Sequence, residues 1–272
     1  MSRAPAAAKI NLALVVGPAR PDGKHEVLTV LQRIGLVDRI ELEPAESLRV
    51  EGFADDTLVR GALEALAGAA GVEPRWRVRI EKTIPVAAGL GGGSSDAATA
   101  LRLANETLAE PLPQDALHRL AAGLGADVPF FLADGPQLGS GDGSELERLD
   151  LPQDFWIVLL HPRGAVKPST ASIYAAFDGR DGAAGWDERR QALVDALAAV
   201  ERPRDLAALP PNDLASSPLA AELHAAGAFR ADVSGAGPVL YGLFHHRGDA
   251  QAAAKALGPL GRTWIVAPAW YG

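Results

Sequence analysis

The chain contains no cysteine, which excludes disulfide bonds, thiolate zinc sites and thiol catalysis. Long apolar runs are also missing: the longest covers residues 155–160, far too short to span a membrane. The first residues lack the extended apolar core of a signal peptide. We therefore expect a cytoplasmic protein with no membrane partner.

Basic charge is scarce as well. Lys and Arg number 26 against 34 Asp and Glu, a formal net charge of −8, and no basic cluster interrupts the chain. An acidic protein of this kind is a poor candidate for nucleic acid or an anionic membrane surface. A site for a phosphorylated ligand must therefore be local. The 272 residues suffice for two ordinary domains.

The most informative stretch covers residues 85–105 and reads P-V-A-A-G-L-G-G-G-S-S-D-A-A-T-A-L-R-L-A-N. The preceding residues 76–81 alternate between apolar and charged side chains, which predicts a half-buried strand, and an apolar run that favours a helix follows. Four glycines lie between; we expect Gly92 at positive φ and Ser94 or Ser95 as the helix cap. A glycine loop that leads into a helix N-terminus predicts an anion site, most commonly for phosphate.

Neither of the two best-known glycine loops fits this stretch. There is no G-K-[ST], and no acidic residue follows at the distance that a dinucleotide-binding fold requires. The alternative is a flexible turn before a core helix. Four glycines and two serines within seven residues argue against it.

Three polar residues stand in apolar surroundings. Lys9 and Asn11 share one face of a predicted strand at residues 9–16, which is either a solvated edge or a face that looks into a site. Asp127 lies in the run G-A-D-V-P-F-F, where it either caps the following turn or is paired or functional, because an unpaired buried charge is costly.

The motif P-x-x-x-G-L-G-G-G-S-S-D-A-A resembles the phosphate loop of the GHMP kinases. The stretches A-A-A-K-I-N-L-A-L, D-G-K-H-E-V, G-A-D-V-P-F-F, N-D-L and S-G-A-G-P are similar to further family motifs, so the resemblance covers residues 9–238. It implies an α+β fold. Residues 1–151 would form a half like domain 2 of ribosomal protein S5, residues 152–272 a ferredoxin-like α/β sandwich, and the active site would lie in the cleft between them.

The resemblance also implies an activity, the ATP-dependent phosphorylation of a small alcohol with Mg²⁺ as cofactor. It is strongest to the family branch in isoprenoid precursor synthesis, whose substrate carries a cytidine diphosphate group. Lys9 and Asp127 would be catalytic, and Ser95 would contact the metal. The nucleotide and its phosphates would be bound by Lys82 (through its backbone), Pro85, Gly89, Leu90, Gly91, Gly92, Gly93, Ser94 and Ser95, and the acceptor by Asn11, His25, Thr170 and Tyr174. Asp96 would turn away from the phosphates or meet the metal.

The chain departs from the family pattern at four positions. Ala7 replaces a proline, Thr57 an asparagine near the adenine, and Asp142 an arginine, while Lys24 stands where a tyrosine can stack on cytosine. A homoserine- or mevalonate-type kinase remains an alternative, although D-G-K-H-E argues against it. An S5-like RNA-binding protein would need a basic face, which the net charge disfavours. Monomer and homodimer both remain open.

Overall fold

Two long antiparallel strands form the centre of the first sheet in this computed structural model, which describes residues 1–53, 57–166 and 169–269. Strand β1 spans Ser2–Ala19 and β2 spans His25–Pro44, and they pair along almost their whole length. β1 is longer than the strand predicted at residues 9–16, and β2 is longer than the strand that the pattern of residues 35–43 predicts. The strands are buried on both faces over much of their length, so little alternation of apolar and polar residues marks their ends.

The other strands of this sheet extend it from the edge of β2 that does not pair with β1. They are β3 (Arg49–Glu51), β4 (Trp76–Glu81), β5 (Gln137–Ser140) and β6 (Glu145–Arg148). The order is β3-β4-β2-β5-β6, while β1 pairs with β2 off this path. In β4 the apolar residues Trp76, Val78 and Ile80 are buried and the charged residues between them are exposed, which confirms the predicted strand.

Helices α1 (Thr57–Ala70), α2 (Gly92–Asn105) and α3 (Gln114–Leu124) accompany this sheet. Helix α2 packs against α1 and β1, and every residue from Ser95 to Asn105 except Arg102 is buried. Its many alanines allow this close packing, and each buried leucine contributes about 1.5–3 kcal/mol relative to an exposed one. The apolar residues of α1 recur at helical spacing after Asp55 and Asp56, which predicts one of these two as its cap, but both lie outside the described residues.

A second, antiparallel sheet follows the first in the chain. Its strands are β7 (Trp156–Pro162), β8 (Arg230–Val233), β9 (Leu240–Phe244) and β10 (Gly261–Val266), in the order β10-β7-β9-β8. The helices of this half are α4 (Thr170–Gly179), α5 (Trp186–Ala198), α6 (Leu219–Ala225) and α7 (Arg247–Leu257). The run P-S-T-A-S-I-Y predicts a helix start with Ser169 as its cap, and this prediction is confirmed: the Ser169 hydroxyl accepts the N–H of Ser172 at 3.0 Å.

One apolar core joins the two sheets. Ile10 and Leu12 of β1 belong to the same buried cluster as Ile157 of β7 and Tyr241 of β9. The boundary proposed after residue 151 falls in the segment between β6 and β7. In the part of the chain that the structure describes, no helix combines the length and apolarity that a membrane crossing needs.

Candidate active site

A cavity of about 490 Å³ opens beside the glycine loop, at the junction of the two halves. It brings together most of the residues predicted from the sequence: Lys9, Asn11, Lys82, Pro85, Gly89, Leu90, Gly91, Gly92, Gly93, Ser94, Asp127, Thr170 and Tyr174. Two predicted members, Ser95 and His25, are buried and do not line it.

Helix α2 starts earlier than its serines. It begins at Gly92, and its N-cap is Gly91, which adopts a left-handed conformation with φ of 68°. The predicted cap by Ser94 or Ser95 is therefore wrong, because a glycine can take this conformation and start the helix three or four residues sooner. The N–H of Ser95 already donates to the Gly91 carbonyl at 2.9 Å. The helix therefore leaves the N–H groups of residues 92–94 without an acceptor inside the helix, and these three residues line the cavity.

Two glycines of the loop are required by close contacts. A Cβ at Gly89 would lie 2.2 Å from the Ser234 carbonyl oxygen, and one at Gly91 would lie 2.9 Å from the Phe131 ring. Both residues have positive φ, whereas Gly92 does not, so the expected positive φ at Gly92 is wrong. A larger residue at position 92 is disfavoured by the side chain of Ile84, because a Cβ built on Gly92 would lie 3.0 Å from it.

Lys9, Asn11 and Asp127 form a polar group beside the helix start, where the Lys9 side chain lies against Gly91. The Lys9 ammonium donates to Asn11 Oδ1 at 2.8 Å and lies 3.4 Å from Asp127 Oδ2. The Asn11 amide donates to the hydroxyl of Thr29, which donates in turn to the Ala13 carbonyl. Lys9 is 5% exposed and Asp127 is 41% exposed, so a fixed cation holds a carboxylate that is open to the cavity. The polar face of β1 therefore looks into a site, as one of the two readings predicted.

Asp127 does not cap the turn that follows it. The 3₁₀ turn Pro129–Leu132 has Val128 at its N-cap position. A buried arginine that the sequence did not single out, Arg33, holds this turn by donating to the carbonyls of Phe130 and Ala133 at 3.3 and 2.8 Å. Its guanidinium also lies 5.6 Å from the centre of the Phe130 ring. Burial lowers the pKa of Arg33, although an arginine remains charged at neutral pH.

His25 lies under helix α4. Its ring stacks on Tyr174 with 4.7 Å between ring centres, meets the edge of Phe177, and places Nε2 2.7 Å from Asp178 Oδ1. Tyr174 separates His25 from the open cavity, and burial together with the charge of Asp127 raises the pKa of the Tyr174 hydroxyl. Asp178 was not singled out in the sequence, because no motif marks it.

Two of the departures from the family pattern compensate each other. Lys24, in the place of a tyrosine, forms an ion pair with Asp142, in the place of an arginine. Asp142 also accepts the N–H and the hydroxyl of Ser144, at 3.1 and 2.6 Å. Burial raises the pKa of Asp142, but the hydrogen bonds from Lys24 and Ser144 outweigh it and lower the pKa to about 2. This corner of the cavity is therefore ionic where the family has an aromatic ring.

Lys82 is held by two carboxylates at the base of the glycine loop. Its ammonium lies 2.6 Å from Asp38 Oδ2 and 2.6 Å from Asp96 Oδ2, and neither carboxylate is exposed. Asp96 belongs to the second turn of α2, since the helix begins at Gly92. It turns away from the cavity, one of the two expected placements, and meets a lysine there. Asp38 gave no signal in the sequence.

The turn S-G-A-G-P packs on the glycine loop. The Ser234 hydroxyl donates to the Gly89 carbonyl at 2.9 Å, and Gly235 and Ala236 line the cavity. Asn212 of the N-D-L stretch fixes this turn by donating to the carbonyls of Val233 and Gly235 at 3.0 and 2.6 Å. The turn is thus a wall of the site that the second half contributes.

Family models and solved structures of known proteins match this chain. The family model of the GHMP kinases N terminal domain matches residues 57–135, and that of the GHMP kinases C terminal domain matches residues 214–260. A crystal structure of mevalonate kinase superposes over the whole of both chains with a TM-score of 0.77 at 13% identity, which speaks for the fold alone. The chain belongs to the GHMP kinases, ATP-dependent kinases of small molecules.

Closer relatives define its place among them. A 4-diphosphocytidyl-2-C-methyl-D-erythritol kinase of Geobacter sulfurreducens is 36% identical over 96% of each chain, and that of Pelotomaculum thermopropionicum is 42% identical over 88% of this chain and 87% of the relative. A crystal structure of 4-(cytidine 5'-diphospho)-2C-methyl-D-erythritol kinase superposes with a TM-score of 0.79 at 31% identity over the whole of both chains. Within the GHMP kinases, the chain belongs to the 4-diphosphocytidyl-2-C-methyl-D-erythritol kinase family.

Proposed function

We propose that this chain transfers the γ-phosphoryl group of ATP to the 2-hydroxyl of 4-diphosphocytidyl-2-C-methyl-D-erythritol, a step of non-mevalonate isoprenoid precursor synthesis. Family membership supports the substrate. The observation that carries the chemistry is a single cavity that holds an anion-binding helix start and, beside it, the Lys9–Asp127 pair.

The nucleotide side is the start of α2. Backbone N–H groups and the positive end of the helix dipole bind the phosphates there, without a lysine in the loop itself. Phosphoryl transfer needs positioning and charge neutralisation more than covalent chemistry. The close contacts of Gly89 and Gly91 supply the positioning, because they leave the loop no room to shift.

At the acceptor side, the substrate oxygen attacks the γ-phosphorus while the bond to the bridging oxygen of ADP breaks. The hydroxyl proton passes to the carboxylate of Asp127, which acts as base or orienting group. The Lys9 ammonium offsets the negative charge that spreads over the transferred oxygens. Asn11 keeps Lys9 in place through their 2.8 Å hydrogen bond.

Mg²⁺, when bound, would neutralise part of the phosphate charge. Among the described residues no group of three or more His, Cys, Asp or Glu side chains is arranged to hold a metal. The hydroxyl of Ser94 and the carboxylate of Asp127 line the cavity, and such oxygens fit an ion that keeps several waters and takes its other ligands from phosphate. Since Ser95 is buried inside the helix, we place the protein contact at Ser94 and Asp127 instead.

The cytidine end of the acceptor is proposed to meet Thr170 and the stack of Tyr174 on His25. Both α4 residues line the cavity, and His25 fixes the position of the Tyr174 ring from below. We further propose that the enzyme works in the cytoplasm, where ATP is available, as a monomer or a homodimer. Light scattering would count its subunits, and cell fractionation would test its location.

Purified protein tests the reaction directly. With ATP and Mg²⁺, we expect ADP release that depends on the cytidine diphosphate substrate, and a new phosphomonoester in the ³¹P spectrum of the product. Mevalonate and homoserine, offered separately, should give no ADP. Turnover of either in place of the cytidine substrate would reassign the chain to another kinase of the fold.

A further inference from the structure

Three charged side chains form a buried cluster beneath the glycine loop, here called the lysine triad: Lys82, Asp38 and Asp96. They come from three different elements, because Lys82 follows β4, Asp38 lies in β2 and Asp96 in α2. The Lys82 ammonium lies 2.6 Å from a carboxylate oxygen on each side. Asp38 also accepts the N–H of Ile84 at 2.8 Å, so it holds the chain that enters the loop.

The lysine triad touches the start of α2. A Cβ at Gly92, the first helical residue, would stand only 3.4 Å from the Lys82 ammonium. Lys82 lines the cavity, whereas both carboxylates are fully buried below it. The cation therefore lies between the buried Asp96 carboxylate and the point where the helix start faces the cavity.

The charges of the lysine triad sum to −1, one ammonium against two carboxylates. Burial lowers the pKa of Lys82, but the charge of Asp96 and the hydrogen bonds to Asp38 and Asp96 outweigh it, so that pKa is raised and the lysine stays protonated at neutral pH. Without the ammonium, two negative charges would lie under a site proposed for the most highly charged part of ATP. Charges in a partly desolvated site act strongly on each other.

We propose that the Lys82 side chain is a positioning residue for ATP: it holds the two ends of the glycine loop together and cancels the carboxylate charge of Asp96 under the phosphates. This role differs from the backbone contact to adenine that the family resemblance implies for the same residue. It rests on the proposed ATP site.

Changing the charge of the lysine triad one unit at a time tests the proposal. K82M leaves a charge of −2, the double variant K82M/D96N returns it to −1, and D96N alone brings it to zero while Asn can still accept from Lys82. At an effective dielectric of about 20, one unit charge at close range corresponds to at least about tenfold in the ATP dissociation constant. We expect K82M to weaken ATP binding by at least about that factor, D96N to bind ATP no more weakly than the wild type, and the double variant to recover most of the loss.

The measurement is titration calorimetry with ATP and Mg²⁺ at low and high salt, with KM for the cytidine substrate beside it. The K82M defect should shrink at high salt, whereas a defect of packing alone would not, and KM for the cytidine substrate should stay unchanged in every variant. K255M removes an exposed lysine of α7 and serves as the matched control.

If K82M does not fold, the other two variants still decide, because neither adds a buried charge. A double variant that binds ATP tenfold more weakly than the wild type, or a D96N variant weaker than the wild type, overturns the charge role. K82M with unchanged ATP affinity overturns the proposal as a whole. A wild-type protein that binds no ATP would overturn the proposed function, and this inference with it.

Discussion

The Lys9–Asp127 pair is the smallest group of residues in the site for which we can predict an effect on kcat. Asn11 and Thr29 fix the lysine from behind, and the carboxylate stays open to the cavity. A fixed cation beside an accessible carboxylate is suited to a reaction in which a hydroxyl loses its proton while negative charge spreads over a phosphoryl group.

Asp127→Asn should lower kcat by at least about 10², the lower end of what general acid–base assistance contributes. Both KM values should change little, because the interaction belongs mainly to the transition state. Steady-state kinetics measures this, with the exposed Asp115→Asn of α3 as control. A near-normal kcat in Asp127→Asn would remove the residue from the mechanism.

Lys9→Met should cost a comparable factor in kcat, since it removes the charge that faces both Asp127 and the transferred group. In the double variant with Asp127→Asn, the loss should be smaller than the product of the single losses, because groups that act as a unit are not additive. Strictly multiplicative losses would show that the two residues contribute to catalysis independently and not as a unit. Lys255→Met is the matched control.

His25 makes a prediction about specificity. His25→Ala removes the ring on which Tyr174 stacks and the partner of Asp178, so KM for the cytidine substrate should rise far more than KM for ATP. Substrate kinetics with each reactant varied in turn measures the difference, and His246→Ala, an exposed histidine of the other half, is the control. Equal increases would mean that His25 has only a structural role.

At the scale of elements, the glycine loop depends on contacts from outside itself. Strand β1 holds the loop by donating a hydrogen bond from the Lys9 N–H to the Leu90 carbonyl at 2.9 Å, and the Ser234 hydroxyl of the second half donates to the Gly89 carbonyl. The start of α2 is therefore fixed by both halves of the molecule, which is what a preorganised phosphate site requires.

Gly91→Ala tests that preorganisation. Its Cβ would press on the Phe131 ring at 2.9 Å and on the Lys9 stem at 3.0 Å, in addition to the strain of a left-handed residue. ATP affinity and kcat should both fall at least about tenfold while the far-UV spectrum stays native, because both the helix start and the catalytic lysine are displaced. Calorimetry and kinetics measure the two effects.

The matched control for Gly91→Ala is Gly71→Ala, beyond the end of α1. Gly71 has nearly the same φ, 65°, but a Cβ there meets nothing within 4 Å. It should therefore lose stability alone, with ATP binding intact. If both variants bind ATP normally, the close packing of the loop has no part in nucleotide binding.

At the scale of the whole molecule, a buried arginine links the two sheets. Arg230 of β8 donates to the Leu12 carbonyl of β1 at 2.5 Å and to the Leu209 carbonyl at 2.6 Å, and it lies 3.6 Å from Asp232. Tyr241 donates to the same Leu12 carbonyl at 3.2 Å, and burial raises the pKa of its hydroxyl to about 12. The cleft keeps its shape because the halves share these bonds and one core.

Arg230→Met should lower the free energy of unfolding by about 3 kcal/mol or more, because it leaves a buried carboxylate and several buried carbonyls without their donor. Urea denaturation followed by circular dichroism measures this, with the exposed Arg262→Met of β10 as control. A loss below about 1 kcal/mol, the range of exposed ion pairs, would show that the core alone holds the sheets together.

Local sequence determined those features that depend on residues a few positions apart. The alternation at β4, the Ser169 cap of α4 and the glycine loop before an apolar helix are all present where they were predicted. Short-range periodicity and backbone propensity suffice for such elements. Local sequence also sufficed for the part of the cavity lining at residues 85–94, because the loop contributes these residues as one continuous stretch.

Tertiary structure alone decided which distant side chains meet. Asp38 lies 44 residues from Lys82, and Asp178 lies 153 residues from His25, so no local pattern could pair them. It also moved the start of α2 to Gly92 and buried Ser95 and His25, because contacts with β1, Phe131 and α4 select one backbone path among several that glycine and serine allow. Register and packing are properties of the assembled sheets, and they place each charge.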